Sequence, residues 1–210
     1  MQQKGLAVGG EEGFKVVCLK IEILHSKENE LEFVLKDATV AFANAIRRIG
    51  MSQVPVFAID TVTFYENTSS IFDEYIANRL GLIPLTSEGK HREGEEVLFT
   101  LDSAGPKVVY SKELKSSNPK VKCVYDTIPI IKLGEEGRIR LEAKARMGMG
   151  VEHAKFQAGL ISYGYEKGDE RNFKFRVESF GQLSPKTILM KAAEKLMEKC
   201  EELDTQLKEV

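Results

Sequence analysis

The stretch SPKTILMKAAEKLMEKCEELDTQL, residues 184–207, decides how the rest of the chain is read. Ser184 can cap a helix, and Pro185 then falls at its first position, where an N–H would have no helical carbonyl to meet. Behind them Leu189, Ala193, Leu196, Cys200, Leu203 and Leu207 step by four, three, four, three and four. That spacing is one stripe of a long helix with a heptad repeat, and such a stripe has to be covered, by another helix or by the chain's own sheet.

Working outward, Phe173, Phe175 and Val177 alternate with Lys174, Arg176 and Glu178 just before the helix, the period of a strand with one buried face. The other end of the chain repeats both signals. Residues 14–24 set Val17, Leu19, Ile21 and Ile23 against Lys20 and Glu22. Ser26-Lys27-Glu28-Asn29 supplies a turn, and Leu31, Phe33 and Leu35 alternate with Glu32, Val34 and Lys36, so an antiparallel hairpin is expected. The period then changes to that of a helix over 38–50. Asp37 or Thr39 can cap it, Phe42, Ile46 and Ile49 form its apolar face, and Gly50 is expected to stop it in a left-handed conformation.

Between these ends the pattern is mostly β. A strand is expected over 54–65 with Pro55 at its start. A short helix follows, capped by Asp73, with Ile76 and Leu80 buried and Gly81 and Pro84 as its stop. Residues 86–120 read as a looped excursion with β pieces at 97–101 and 107–110. Ile139, Leu141, Ala143, Ala145 and Met147 alternate with Arg138, Arg140, Glu142, Lys144 and Arg146, the clearest strand in the chain.

Composition excludes several classes. The chain has 210 residues, 42% of them hydrophobic and 30% charged, with a net charge of −2, which rules out a disordered or collagen-like polymer and argues against a protein built chiefly to grip phosphates. No apolar run approaches the roughly 18 residues of a membrane span, and the Gly-rich start lacks the basic-then-apolar order of a signal peptide, so no membrane role and a cytoplasmic location are expected. Cys18, Cys123 and Cys200 are too scattered in sequence for a zinc or iron–sulfur motif, and His25, His91 and His153 have no ligand at metal spacing. Gly148-Met149-Gly150 reads as a turn rather than a nucleotide loop, and Asp73-Glu74 as acidic residues favoured by a helix dipole. Arg47-Arg48 is either surface charge at a helix end or a fork for a partner's carboxylates. The basic strand face Arg138, Arg140, Lys144 and Arg146 could meet single-stranded RNA, but Glu142 interrupts it and no aromatic on that strand face is available to stack bases. No constellation demands catalysis.

Taken in order, Phe42-Ala43-Asn44-Ala45-Ile46-Arg47-Arg48-Ile49, Val54-Pro55, Ala58-Ile59-Asp60, Asn67-Thr68-Ser69, Asp73-Glu74 and Asn78-Arg79-Leu80-Gly81-Leu82-Ile83-Pro84-Leu85 resemble the D-subunit family of archaeal DNA-directed RNA polymerase. Glu152-His153-Ala154-Lys155-Phe156 is similar to that family's Glu-His-Ala-Lys-Trp stretch, and residues 175–196 to its last strand and long helix, so the likeness covers nearly the whole chain. The family is also similar to the third-largest eukaryotic polymerase subunit and the N-terminal domain of the bacterial alpha subunit.

The resemblance implies an α+β fold with a discontinuous dimerisation domain, an antiparallel sheet with two helices drawn from residues 1–51 and 172–210. A mostly β second domain, 52–171, is inserted between the two parts. It implies a non-catalytic assembly platform of DNA-directed RNA polymerase, a nucleotidyltransferase complex, that heterodimerises with the polymerase's L subunit. Phe42, Ile46, Ile49, Leu189, Ala193, Leu196, Cys200 and Leu203 would form that interface. Arg47 and above all Arg48 would dock the second-largest subunit, small polymerase subunits would bind nearby, and DNA would be met only through the complex. Some members carry a cysteine-rich, ferredoxin-like insertion before the last strand. Residues 157–172 are here a short link without cysteine, so no cofactor and no iron–sulfur cluster are expected. The competing reading is an independent single-stranded RNA-binding protein using the basic strand face.

Overall fold

The computed structural model describes residues 19–89, 91, 94–165, 169 and 171–209. The Gly-rich start, Cys18 and the part of the first expected strand before residue 19 lie outside the described residues. Strands β1 (Lys20–Ser26) and β2 (Glu30–Lys36) form the expected hairpin, followed by helix α1 (Val40–Ser52) and strand β3 (Val56–Asn67). Helix α2 (Asp73–Gly81) leads to β4 (Glu96–Ala104), β5 (Lys107–Tyr110), β6 (Lys115–Ser116), β7 (Pro129–Leu133) and the long β8 (Arg138–Gly148). The chain ends with β9 (Gly159–Gly164), β10 (Phe173–Ser179) and helix α3 (Pro185–Lys208).

Two antiparallel sheets carry the architecture, with strand orders β1-β2-β10-β9 and β3-β8-β4-β6, beside a small β5-β7 ribbon. Each sheet has its own core. The second buries Phe57, Phe99, Leu101 and Leu141 on one face, with Ile76 and Leu80 of α2 packed in. In the first, Phe33 stacks on Phe175 with ring centroids 5.0 Å apart, and Tyr163 meets Phe173 edge-on at 5.5 Å. Helices α1 and α3 pack on each other and cover this core face, α1 over β9 and α3 over β10 and β2. The outer face of the first sheet is a charged ladder: Lys36 with Glu22 at 2.5 Å, Lys174 with Glu32 at 3.0 Å and Arg176 with Glu30 at 2.8 Å.

Several local expectations are corrected. Of the two expected caps of α1 it is Thr39 that serves, its hydroxyl accepting the Phe42 N–H at 3.2 Å, while Asp37 adopts a left-handed turn conformation with φ 57°. Gly50 does not stop α1, which runs on to Ser52. It is buried, and a Cβ there would stand 2.3 Å from Cδ1 of Ile161, so its lack of a side chain serves close helix-to-sheet packing rather than a cap. Asp73 is the first helical residue of α2 and not its cap; Phe72 holds that position, and the Asp73 carboxylate accepts from Asn67 Nδ2 at 2.6 Å.

The largest correction concerns β9. Residues 159–164 fell within the expected inserted unit and its short link, yet they pair with β10 in the first sheet, and Phe156, Ala158 and Ile161 belong to that sheet's core. The strand is only six residues long, bounded by glycines, and its Leu160 is exposed, so its alternation is too short and too mixed to stand out.

Candidate subunit interface

The core of the first sheet is incomplete at one edge. Ile21 and Ile23 of β1 lie opposite Leu35 and Phe33 of β2. Directly opposed residues share a face, so these isoleucines point to the same side as two side chains that are 5% and 4% exposed. Yet Ile21 and Ile23 are 67% and 64% exposed: α1 and α3 cover the strands beyond them, and among the described residues no element covers β1.

Helix α3 has the matching imbalance. Ser184 caps it, accepting the Thr187 N–H at 3.2 Å, with Pro185 at its start as read from the sequence. Pro185, Ile188 and Ala192 are buried against the chain's own core, with Leu189 and Leu196 half-buried at its margin. From residue 197 to 209 every residue is exposed, including Met197, Cys200, Leu203 and Leu207, so the second half of the helix overhangs the body of the protein.

The expected interface residues therefore divide into groups. Ile46 and Ile49 are interior residues, 8% and 7% exposed, facing the chain's own core, and Phe42 is partly buried beside them. Leu189 and Leu196 are shared between core and surface. Ala193, Cys200 and Leu203 stand in solvent. The sequence stripe missed Ile188 and Ala192, which turn furthest inward, because a stripe at a 3.5-residue period drifts around a helix of 3.6 residues per turn.

The two arginines of α1 also differ. Arg47 donates through Nη2 to Asn44 Oδ1 at 2.9 Å, whereas Arg48 is exposed and no side chain among the described residues holds it.

A second group of charges surrounds Phe156, which is fully buried. Lys155 Nζ lies 2.6 Å from Asp60 Oδ1, Arg146 Nε lies 3.0 Å from Asp60 Oδ2, and Arg146 Nη1 lies 3.0 Å from Glu152 Oε2. The Arg146 guanidinium sits 4.7 Å from the centre of the Phe156 ring. The hydrogen bond from Lys155, with that from Arg146, holds the Asp60 carboxyl below its ordinary range. The Met149 N–H and then Arg146 do the same for Glu152, and the two carboxylates raise Arg146. Here the Glu-His-Ala-Lys-Phe stretch works as a clamp, with His153 Nδ1 accepting the Lys155 N–H at 3.1 Å.

Two more cations of the basic strand face are paired. Arg138 lies 3.4 Å from both Glu66 and Asp102, and Lys144 lies 3.9 Å from Glu96. Arg140 lies over the ring of Tyr65 at 5.8 Å. That ring corrects the expectation of a face without an aromatic. It comes from β3, at an irregularity in its pairing with β8, and no reading of β8 alone could place it there.

A cleft between the two cores, about 390 Å³, is lined by Leu82, Tyr125 and Phe180 with Lys155 and Ser179. The lysine is held by Asp60 and the Ser179 hydroxyl donates to Leu183 O, so neither is a free nucleophile. His91 is tucked edge-on against Phe57 at 4.8 Å. Burial pushes the Cys123 thiol up to about 11, while Cys200 is exposed on α3. Among the described residues no three His, Cys, Asp or Glu side chains converge on a point that could hold a metal.

Comparison with known proteins agrees with this geometry. Residues 32–200 match the family described as the RNA polymerase Rpb3/Rpb11 dimerisation domain. The protein named DNA-directed RNA polymerase subunit Rpo3 from Pyrococcus furiosus is 45% identical over 154 residues, covering 70% of this chain and 59% of its own length. The Rpo3 of Methanocaldococcus jannaschii is 46% identical over 179 residues, covering 85% of this chain and 90% of its own. That of Methanothermobacter thermautotrophicus is 32% identical over 262 residues, an alignment longer than this chain, so that relative carries residues with no counterpart here. The chain thus spans about 59% of the Pyrococcus relative and nearly all of the shorter Methanocaldococcus one. With the matched family covering residues 32–200, most of the chain, the protein belongs to the RNA polymerase Rpb3/Rpb11 dimerisation-domain family.

Proposed function

We propose that the chain is a non-catalytic assembly subunit of an archaeal DNA-directed RNA polymerase that heterodimerises with the smaller L subunit and then docks the second-largest subunit and the small subunits around it. The observation that carries this reading is the unfinished core: an apolar sheet edge at Ile21 and Ile23 and an apolar helix half at Met197, Leu203 and Leu207, all in solvent. A partner of related fold would lay a helix on β1 and offer a sheet to the overhang of α3, and each large side chain so buried contributes about 1.5–3 kcal/mol. Arg48, with no side-chain partner among the described residues, is the fork offered to a carboxylate of the second-largest subunit. Catalysis resides elsewhere in the complex, DNA is met only through it, and the site of action is the cytoplasm. No helix of the described residues is long and apolar enough to cross a membrane.

The same reading expects no iron–sulfur cluster. Cys123 is buried with its thiol protonated and Cys200 lies on the helix surface, so iron analysis of anaerobically purified protein should find none in stoichiometric amount.

Leu203→Asp tests the interface. Leu203 is 57% exposed, so the variant should fold and unfold like the parent yet lose the L subunit in a co-purification. Undiminished capture of that partner would refute the interface. The alternative, single-stranded RNA binding by the basic strand face, is disfavoured by the carboxylates already paired there. It predicts binding that collapses as salt rises, whereas an apolar heterodimer should hold at high salt.

A further inference from the structure

We infer that the turn over residues 148–152 is a second contact of the docking surface that begins at Arg48, with Val151 as its apolar anchor; this rests on the reading of Arg48 given above. The turn is fixed from both sides. Gly150 passes so close to the end of α1 that a Cβ would stand 2.5 Å from Met51 O. Val151 donates its N–H to Ser52 O at 2.8 Å, and the Ser52 hydroxyl donates to Arg48 O at 2.7 Å, so the turn is tied to the end of α1, one helical turn along the backbone from Arg48. On its other side Glu152 closes the turn, its carboxylate accepting the Met149 N–H at 2.8 Å and its own N–H bonding Met149 O at 2.9 Å. Arg146 holds that carboxylate and is itself held by Asp60.

This rigid loop presents a valine that is 68% exposed. A β-branched residue has no preference for a turn, and this one packs into neither core, so its placement has no internal explanation. One exposed valine is ordinary. A valine locked onto the end of the helix that carries Arg48, an exposed arginine with no side-chain partner among the described residues, is not, since an apolar anchor and a guanidinium on one preordered backbone are what binding hot spots are made from.

The charges nearby define the occupant. Lys155 and Arg146 are neutralised by Asp60 and Glu152, which leaves Arg48 as the guanidinium of this patch with no side-chain partner among the described residues. The complement is therefore a protein surface with one carboxylate and a small apolar socket, and not a run of phosphates. In the proposed assembly that surface belongs to the second-largest subunit, with Val151 as a second point of contact beside the end of α1.

The test uses the purified heterodimer with the L subunit and measures its affinity for the second-largest subunit, with thermal unfolding recorded in parallel. Val151→Ser should weaken binding about tenfold while unfolding and capture of the L subunit stay unchanged. Val151→Ala, which cannot add a polar group, should weaken it in the same direction. Unchanged affinity in both variants, with Arg48→Ala still weakening binding, overturns the role of Val151 and leaves the docking reading standing. Unchanged affinity in Arg48→Ala as well overturns the docking reading itself. Salt-sensitive binding of a single-stranded RNA oligonucleotide that Val151→Ser abolishes would assign the patch to a different class of partner and so refute the inference.

Discussion

Strands β1 and β4 have the same alternation and opposite fates. In β4, Val97, Phe99 and Leu101 are at most 2% exposed, sealed between β8, β6 and the elements around them. In β1, Ile21 and Ile23 point to a core face and remain about two-thirds exposed. Period two states that one face of a strand is meant to be apolar; it does not state whose atoms cover it. The second sheet closes its core with its own chain, and the first leaves part of its core to another.

If that contrast is right, mutations in the two cores should act on different observables. Phe99→Ala removes a fully buried ring from the closed core and should cost about 3–5 kcal/mol in denaturant unfolding of the chain, whether or not a partner is present. Next in size, Gly50→Ala tests the half of the first core that the chain does complete. The new methyl must displace Ile161 Cδ1, so overpacking should cost about 1–3 kcal/mol of chain stability. An effect on partner capture with none on unfolding would show that this half, too, is interface.

The smallest expected effect concerns the clamp between the two cores. Asp60 is held below its ordinary pKa by Lys155 and Arg146, so its contribution is present above the unfolded carboxylate value, near about 3.9, and is lost as pH falls through the lower folded value. Asp60→Asn should therefore lower stability at neutral pH and flatten the acid limb, with the variant and parent curves converging as pH falls. An acid limb of unchanged steepness would mean that other carboxylates govern it.

The sequence was most legible where one residue type has one cause. Ser184-Pro185 opened the long helix, the β8 alternation matched its burial, and the ordered motifs from Phe42 to Leu85 pointed to the family. It was least legible where a residue's role depends on what approaches it from elsewhere. Gly50 looks like a stop until Ile161 is seen against it, Tyr65 reaches the basic face from another strand, and β9 is recognised only by its pairing with β10. The interface residues show the same limit. Ile46 and Leu203 are both apolar residues at helical spacing, and only the tertiary packing turns one inward and leaves the other in solvent.

The most direct measurement is a paired one on the open edge. Ile21→Thr/Ile23→Thr keeps the β-branched shape of the strand while removing apolar surface, so unfolding of the isolated chain should stay within about 0.5 kcal/mol of the parent. Affinity for the L subunit should fall about 100-fold, at roughly 1.4 kcal/mol for each isoleucine. Binding of that partner at full strength, or a chain that loses several kcal/mol on its own, would contradict the claim that this core is finished by a partner.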